Sequence, residues 1–194
     1  MQAGTDDIQI INQVLQGDQQ SFEELIERYQ HFVFTIALRY VRNREDAEEI
    51  AQDVFVKAYR SLADFKGNAK FSTWLYTIAM NTTKTFLRKV KPPVDSLDHV
   101  QISETVDKQH SGNGADLTEQ RSMQLLINQA IGLLGPDDAI VITLFYKAEQ
   151  SIEETGLIMG LTPNAVKVRL HRARLRLKEK LELYFANEIK EIIH

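Results

Sequence analysis

Apolar residues recur at steps of three and four along most of the chain, which is the spacing of one face of an α-helix. A first helix is therefore predicted between Asp18 and Tyr40, and a second over about 45–63. A third helix is predicted from Ser72, as its N-cap, to about Val90, because Pro92 and Pro93 follow it. No strand-like alternation stands out, so the pattern predicts an all-α protein.

Helical spacing returns after residue 117 and predicts helices over about 118–134 and 137–148. Ser151 and Glu154 have the spacing of a capping box at the start of a short helix. Thr162 is then a suitable N-cap for the last helix, which is predicted to reach about Phe185. Two short helices joined by a tight turn, with Gly156 where they approach, are the outline of a helix-turn-helix.

The segment 92–120 has a different composition from both helical stretches. It has six acids, one lysine and no aromatic residue, and it includes Ser-Gly-Asn-Gly at 111–114. This composition favours a flexible acidic linker, although a long loop within one domain is the alternative. The sequence therefore predicts two small helical domains, residues 1–91 and 121–194, joined by the linker 92–120.

Composition excludes several classes of protein. The 194 residues include no cysteine, and no two of the five histidines have metal-ligand spacing. No apolar run approaches the ~20 residues of a membrane span, and the acidic N-terminus lacks the apolar core of a signal peptide. We expect a cytoplasmic protein that has no cofactor, no metal and no membrane insertion. The sequence shows neither a nucleophile with a paired histidine nor a glycine-rich phosphate loop, so no motif indicates an enzyme.

The net charge of −4 is unevenly distributed. Residues 45–53 are acidic, whereas 57–91 carry eight Lys/Arg, one acid and six aromatic residues. Cations attract phosphate and aromatic faces stack on unpaired bases, so the two segments suggest one protein partner and one single-stranded nucleic-acid partner. The simpler alternatives are a helix-capping acidic run and aromatic core packing. Because Trp74 and Tyr76 lie about 200° apart around a helix, at least one is expected at the surface.

The last helix is strongly basic. Residues 164–180 contain seven Lys/Arg and one acid, Glu179. A solvated amphipathic helix is the alternative, but such helices usually interleave acids four residues from their cations. The pattern therefore favours contact with DNA.

Together the two motifs resemble bacterial RNA polymerase sigma factors, in particular the small extracytoplasmic-function (ECF) group. Residues 46–89, DAEEIAQDVFVKAYRSLADFKGNAKFSTWLYTIAMNTTKTFLRK, look like region 2 of this family. Residues 133–177, LLGPDDAIVITLFYKAEQSIEETGLIMGLTPNAVKVRLHRARLRL, look like region 4. The resemblance implies promoter-specific transcription initiation with core RNA polymerase and promoter DNA as partners, and an anti-sigma factor as regulator.

The resemblance also implies roles for particular residues. Core polymerase would be bound by Asp46, Glu49, Gln52 and Asp53. The melted −10 element would be bound by Lys66, Asn68, Lys70, Phe71, Trp74, Tyr76, Asn81, Lys84, Arg88 and Lys89, with Asn81 at the position of a base-reading amide. The −35 duplex would be bound by Thr162, Asn164, Ala165, Lys167, Val168, Arg169, His171, Arg172, Arg174 and Arg176.

Several positions depart from the family pattern, among them Thr85, which stands where the family commonly has an acid. Ala165 and Val168 replace two hydroxyl residues of the recognition helix, so the family's −35 preference does not transfer. Gly156 replaces a common alanine, a change expected to keep the close helix approach.

A sigma-like protein that binds an anti-sigma factor without binding DNA is the alternative function, but it would be expected to lose the basic surfaces that this chain keeps.

Overall fold

The computed structural model of the chain describes residues 3–90 and 115–186, with the backbone alone for residues 3–6 and 115–121. Every regular element in these residues is helical, which confirms the all-α prediction. The first unit contains α1 (Ala3–Leu15), α2 (Phe22–Val41), α3 (Arg44–Arg60) and α4 (Phe71–Val90), with 3₁₀ turns at Gln19–Ser21 and Leu62–Asp64. The second contains α5 (Ala115–Gly132), α6 (Pro136–Ile142), a π-helical turn (Thr143–Lys147), α7 (Ile152–Met159) and α8 (Pro163–Tyr184).

The first unit is built around α2, which packs against both α3 and α4. The apolar stripes predicted for α2 and α3 do face this core. Burying these side chains removes apolar surface from water, which is the main stabilising term of a small domain. The side chains that lose nearly all contact with solvent are Leu25, Val33, Ile36, Ile50, Val54, Leu75 and Met80.

Helix α1 was not predicted from the sequence. It contributes Ile10 and Ile11 to the core and a buried carboxylate, Asp7, that is only 3% exposed. Arg28 and the Tyr29 hydroxyl both donate hydrogen bonds to Asp7, so the carboxylate is compensated by α2. Burial and the adjacent Asp7 raise the pKa of Tyr29 well above its ordinary value.

The second unit contains the predicted helix-turn-helix, formed by α7 and α8. The capping box at the start of α7 is present: Ser151 Oγ accepts from the Glu154 amide, and the Glu154 carboxylate accepts from the Ser151 amide. Thr162 caps α8 through the amide of Ala165, with Pro163 as the first helical residue. These confirm the predicted starts of both helices. The core of this unit comprises Ile131, Ile140, Leu144, Ile158, Val166 and Leu170.

Gly156 of α7 packs directly against the turn that leads into α8. A Cβ added to Gly156 would lie 2.7 Å from the backbone oxygen of Leu161, closer than real Cβ contacts. Glycine at this position therefore keeps the close approach of the two helices, as expected. The turn would have to shift to accept the extra methyl group.

Two details of the sequence prediction differ from the structure. Helix α4 begins at Phe71, so Ser72 lies within its first turn and does not cap it, and its side chain accepts a hydrogen bond from Gln150. Helix α5 begins at Ala115, inside the predicted linker, whereas residues 92–114 of that linker lie outside the described residues.

Candidate functional site

The acidic face of α3 is open to solvent. Glu49, Gln52 and Asp53 are exposed, and Asp46 is half-buried beside the helix N-cap, where Asn43 accepts from its amide. Val56 lies three residues after Asp53 on the same face and is 47% exposed. Acidic side chains and an apolar side chain thus share one exposed face of α3. Sequence reasoning missed Val56, although its position outside the apolar stripe of α3 was the available signal.

An aromatic cluster links the loop before α4 to the first turn of that helix. The ring centroids of Phe65 and Trp74 are 5.4 Å apart, and those of Phe71 and Trp74 are 5.5 Å apart. Gly67 adopts a left-handed conformation at φ +69°, which lets the loop turn. Lys66 and Asn68 are consequently exposed at the tip of this loop. The arrangement presents polar and basic groups beside a half-buried indole.

Two residues of the predicted DNA-binding set on this helix are core residues. Tyr76 is 4% exposed and stacks on Phe32 with ring centroids 4.5 Å apart. Phe71 is 3% exposed and packs against Phe65 and Trp74. Because neither ring has a free face, direct contact with DNA does not fit their placement. Of Trp74 and Tyr76, only Trp74 reaches the surface, in part.

The remaining candidates on α4 lie on its outer side. Asn81, Arg88 and Lys89 are exposed, and Arg88 also donates to the Thr85 hydroxyl at 3.1 Å. Lys84 is exposed too, but its ammonium group donates to the Met159 carbonyl of α7 at 3.4 Å. The structure thus brings Asn81, Arg88 and Lys89 together as one open polar surface.

Helix α8 presents two distinct sides. Val166, Leu170 and Ala173 are buried against the second unit. The opposite side is open to solvent and combines positive charge with exposed apolar side chains, among them Val168 and Leu175, each 50% exposed. This outward face contains Asn164, Lys167, Val168, His171 and Arg172.

Three predicted arginines of α8 lie on its flanks instead. Arg169 donates to Asp137 and Arg176 donates to Asp138, so carboxylates of α6 compensate both cations. Arg174, on the other flank, lies over the rings of Phe145 and Tyr146. The acids of α6 are more than thirty residues away in sequence, so spacing within α8 gave no signal of these ion pairs.

The two helical units pack on each other along α4 and α7. Gln150 is 3% exposed at this contact: its carbonyl oxygen accepts from the Thr73 hydroxyl at 2.8 Å, and its amide donates to Ser72 Oγ at 3.3 Å. The Tyr40 hydroxyl donates to Asp137 at 2.7 Å, and the Lys70 ammonium lies 3.2 Å from a Glu154 carboxylate oxygen. Burial, followed by the Asp137 carboxylate, raises the pKa of Tyr40 well above its ordinary value.

The structure groups no metal-binding side chains within residues 3–90 and 115–186. In the same parts of the chain, no helix is both long enough and apolar enough to span a bilayer.

Comparison with known protein families agrees with this geometry. Residues 25–92 match the family model for sigma-70 region 2, and residues 124–177 match that for sigma-70 region 4. A region 2 unit followed by a region 4 helix-turn-helix defines a transcription initiation factor of the sigma type, which is not a class of catalytic enzyme. The chain belongs to the ECF group of RNA polymerase sigma factors.

Individual relatives cover nearly the whole chain. It is 31% identical to the RNA polymerase sigma-H factor of Pseudomonas aeruginosa, over 91% of this chain and 94% of that protein. It is 35% identical to the ECF RNA polymerase sigma factor SigW of Bacillus subtilis, over 88% and 94%. The sigma factor RpoE of Bartonella quintana, solved in complex with the anti-sigma factor NepR, shares the fold with a TM-score of 0.60 at 21% identity, covering 85% of this chain and 99% of that one.

Proposed function

We propose that this protein is an alternative sigma factor that binds core RNA polymerase in the cytoplasm and directs initiation at promoters with −10 and −35 elements. The observation that carries the proposal is the pairing of two surfaces in the family's order. An exposed amide and basic side chains lie on α4, and an exposed basic recognition face lies on α8. In this role the chain supplies promoter recognition, and the catalytic centre belongs to the polymerase.

Core polymerase is assigned to the acidic face of α3. The side chains of Glu49, Gln52 and Asp53 are exposed and can contact a partner. Val56 can add an apolar contact, because binding would remove its exposed side chain from water. Charge complementarity would steer the encounter, while the apolar side chain would contribute affinity once water is excluded. Asp46 is the least accessible of the four acidic-face candidates and would contribute at the edge of this surface.

The melted −10 strand is assigned to the loop before α4 and to the outer side of that helix. A side-chain amide donates and accepts hydrogen bonds at once, so Asn81 suits the edge of an unpaired base. Lys66, Arg88 and Lys89 would bind phosphates on either side of it. Trp74 offers an accessible indole edge, whereas Phe71 and Tyr76 would support this surface from the core.

The −35 duplex is assigned to the outward face of α8. Lys167 and Arg172 are exposed cations that suit guanine edges or phosphates, and Val168 suits a thymine methyl group. Arg169 contributes less than its position in the sequence suggests, because Asp137 compensates its charge. The major groove accepts one helix, so this face and not the flanks would meet base edges.

The contact between the two units must open on a promoter. The two elements lie about 25 base pairs apart in this family, or ~85 Å at ~3.4 Å per pair. A compact domain of this size has a radius of gyration of only about 13 Å, so two touching units do not reach both elements. The segment 92–114, which precedes α5, would extend to bridge them. The relative solved with an anti-sigma factor supports a similar partner for this chain.

Run-off transcription with purified core polymerase on a library of randomised promoters tests the proposal. Start sites found only when the chain is added should share two sequence elements separated by a fixed spacing. Arg172→Ala should relax the upstream element, and Asn81→Ala the downstream one. Start sites identical to those of core polymerase alone would overturn the proposal and would favour the sigma-like mimic.

A further inference from the structure

The three arginines on the flanks of α8 contact different kinds of side chain. Asp137 and Asp138 bind Arg169 and Arg176, so each of those cations sits beside a compensating carboxylate. The Arg174 guanidinium instead lies 5.3 Å from the centroid of the Tyr146 ring. Among the described residues, no carboxylate forms an ion pair with Arg174. Its positive charge therefore stays uncompensated.

Aromatic contact orders an arginine without occupying its donors. The five N–H groups of a guanidinium lie in its plane, whereas a ring face contacts the flat side of that plane. Phe145 adds a second ring, 5.8 Å from the guanidinium carbon and packed edge-to-face on Tyr146. Beside these ring contacts, Arg174 forms no hydrogen bond with the other described residues, so its N–H groups remain available to an acceptor.

Tyr146 packs edge-to-face on Phe145 but is not a core residue. Its side chain is 54% exposed, at the end of the π-helical turn Thr143–Lys147. Such turns place side chains differently from a regular helix and are frequent at functional sites. The exposed ring covers the flank of α8, where Arg174 lies.

Arg174 belongs to a row of polar side chains that runs along one side of α8, from the outward face to this flank. Residues at steps of four, three and four lie on one side of a helix, so the row rises about 16 Å along the axis of α8. All four members are exposed. A row of this kind follows a phosphate backbone better than it reads a single base pair. The row comprises Lys167 and His171, which also belong to the outward face, together with Arg174 and Lys178, whose ammonium group lies 3.6 Å from a Glu182 carboxylate oxygen.

We propose that Tyr146 is a positioning residue that holds the Arg174 guanidinium ready to bind a phosphate of the −35 duplex. The proposal rests on the proposed function and adds to it a residue outside the recognition helix. Tyr146 itself does not read a base. It lowers the conformational entropy that Arg174 loses when it binds DNA.

The test measures holoenzyme binding to a −35 duplex over a range of salt concentrations. Arg174→Ala should reduce the salt slope by about 0.9, the value of one phosphate contact. Tyr146→Leu keeps apolar volume against Phe145 but removes the π face, and it should weaken binding about two- to five-fold, as expected for an exposed cation–π pair. Tyr146→Phe keeps the ring and should bind like the wild type.

A double variant separates positioning from general stability. If Tyr146 acts through Arg174, Tyr146→Leu should have no further effect in an Arg174→Ala background. Tyr184→Leu is the matched control, because Tyr184 is also 54% exposed and lies under Lys180, 5.4 Å from its ring centroid, at the far end of α8. That control should leave binding unchanged.

Three results would overturn the inference: additive losses in the double variant, equal losses from Tyr146→Phe and Tyr146→Leu, or an equal loss from Tyr184→Leu. Unfolding by urea tests whether a loss of binding comes from a destabilised second unit. If Tyr146 only positions Arg174, the free energy of unfolding of Tyr146→Leu should be close to that of Tyr146→Phe. If the wild-type chain supports no promoter-specific transcription, the proposed function fails first. If it does so and the double variant is additive, only the role of Tyr146 fails.

Discussion

Gln150 is the most informative position at which to perturb the contact between the two units. It comes from the second unit, yet its side-chain oxygen accepts from Thr73 and its amide donates to Ser72, both in the first unit. Replacing it by leucine leaves the Thr73 hydroxyl buried without that partner, at 2% exposure. When the units separate, water can satisfy the same hydroxyl.

The expected change in the closed-to-open ratio follows from losing this hydrogen-bond partner in the closed arrangement alone. A buried polar group that loses its partner costs about 1–3 kcal/mol. At 1.4 kcal/mol per factor of ten, a cost of about 2 kcal/mol lowers the closed-to-open ratio about thirty-fold. Gln150→Leu should therefore shift the free chain toward separated units, without weakening either basic surface.

Energy transfer between two dyes measures this shift. The chain has no native cysteine, so Arg60→Cys and Glu179→Cys provide one labelling site in each unit, both at exposed positions. We expect efficient transfer in the free wild-type chain, less in Gln150→Leu, and least in the holoenzyme on a promoter. Circular dichroism checks that the variant keeps its helices, because Gln150 also donates to the Ala148 carbonyl within its own unit.

A paired substitution provides the control. Thr73→Val combined with Gln150→Leu removes both the donor and the acceptor, a change that is close to neutral when shape is kept. This double variant should regain efficient transfer in the free chain. Identical transfer in wild type and Gln150→Leu, with both folded, would show that these hydrogen bonds do not hold the units together.

Four further outcomes are expected. Gly156→Ala should lower the free energy of unfolding by about 1–3 kcal/mol, as measured in urea, because its methyl group meets backbone in the tight turn. Reversing charge with Asp46→Lys and Glu49→Lys should weaken competition for core polymerase and leave helicity unchanged; undiminished competition would remove α3 from the interface. Asn81→Ala should lower the yield of open complexes on a pre-melted −10 bubble, and an unchanged yield would mean that Asn81 reads no base. The pKa of Tyr29 is raised in the folded state, so its neutral phenol contributes stability that is fully present below pH ~10. That contribution is lost progressively as pH rises above ~10, so the free energy of unfolding should fall more in wild type than in Tyr29→Phe between pH 9 and 11.

Local signals in the sequence predicted most of the fold. The apolar stripes of α2 and α3, the capping box at Ser151 and the Thr162-Pro163 start of α8 depend on residues within one or two turns of each other. Their physics is therefore visible in short windows of sequence. Helix α1 escaped notice because its buried Asp7 looks like a surface acid until Arg28 and Tyr29 are known to bind it.

The candidate site was less predictable because exposure depends on the tertiary fold. Spacing alone did not show that Tyr76 stacks on Phe32 inside the core, whereas Asn81, five residues later, is open. Nor did it show that carboxylates of α6 bind Arg169 and Arg176. The dense basic run of α8 suggested a uniform DNA-binding surface, and the structure divides it into an outward face and two flanks of different charge.

Asp137 connects this division of charge to the contact between the units. One carboxylate oxygen binds Arg169 of the recognition helix, and the other accepts from the Tyr40 hydroxyl of the first unit. The hydroxyl contributes only in the closed arrangement, whereas the ion pair lies wholly within the second unit. Opening therefore leaves Arg169 compensated and the outward face of α8 unchanged, while α4 loses the Thr73–Gln150 hydrogen bond and the contact of Lys84 with the Met159 carbonyl of α7. By this reasoning, closure restricts the −10 surface more than the −35 surface, because α7 covers one side of α4 and nothing in the described residues covers Lys167, His171 or Arg172.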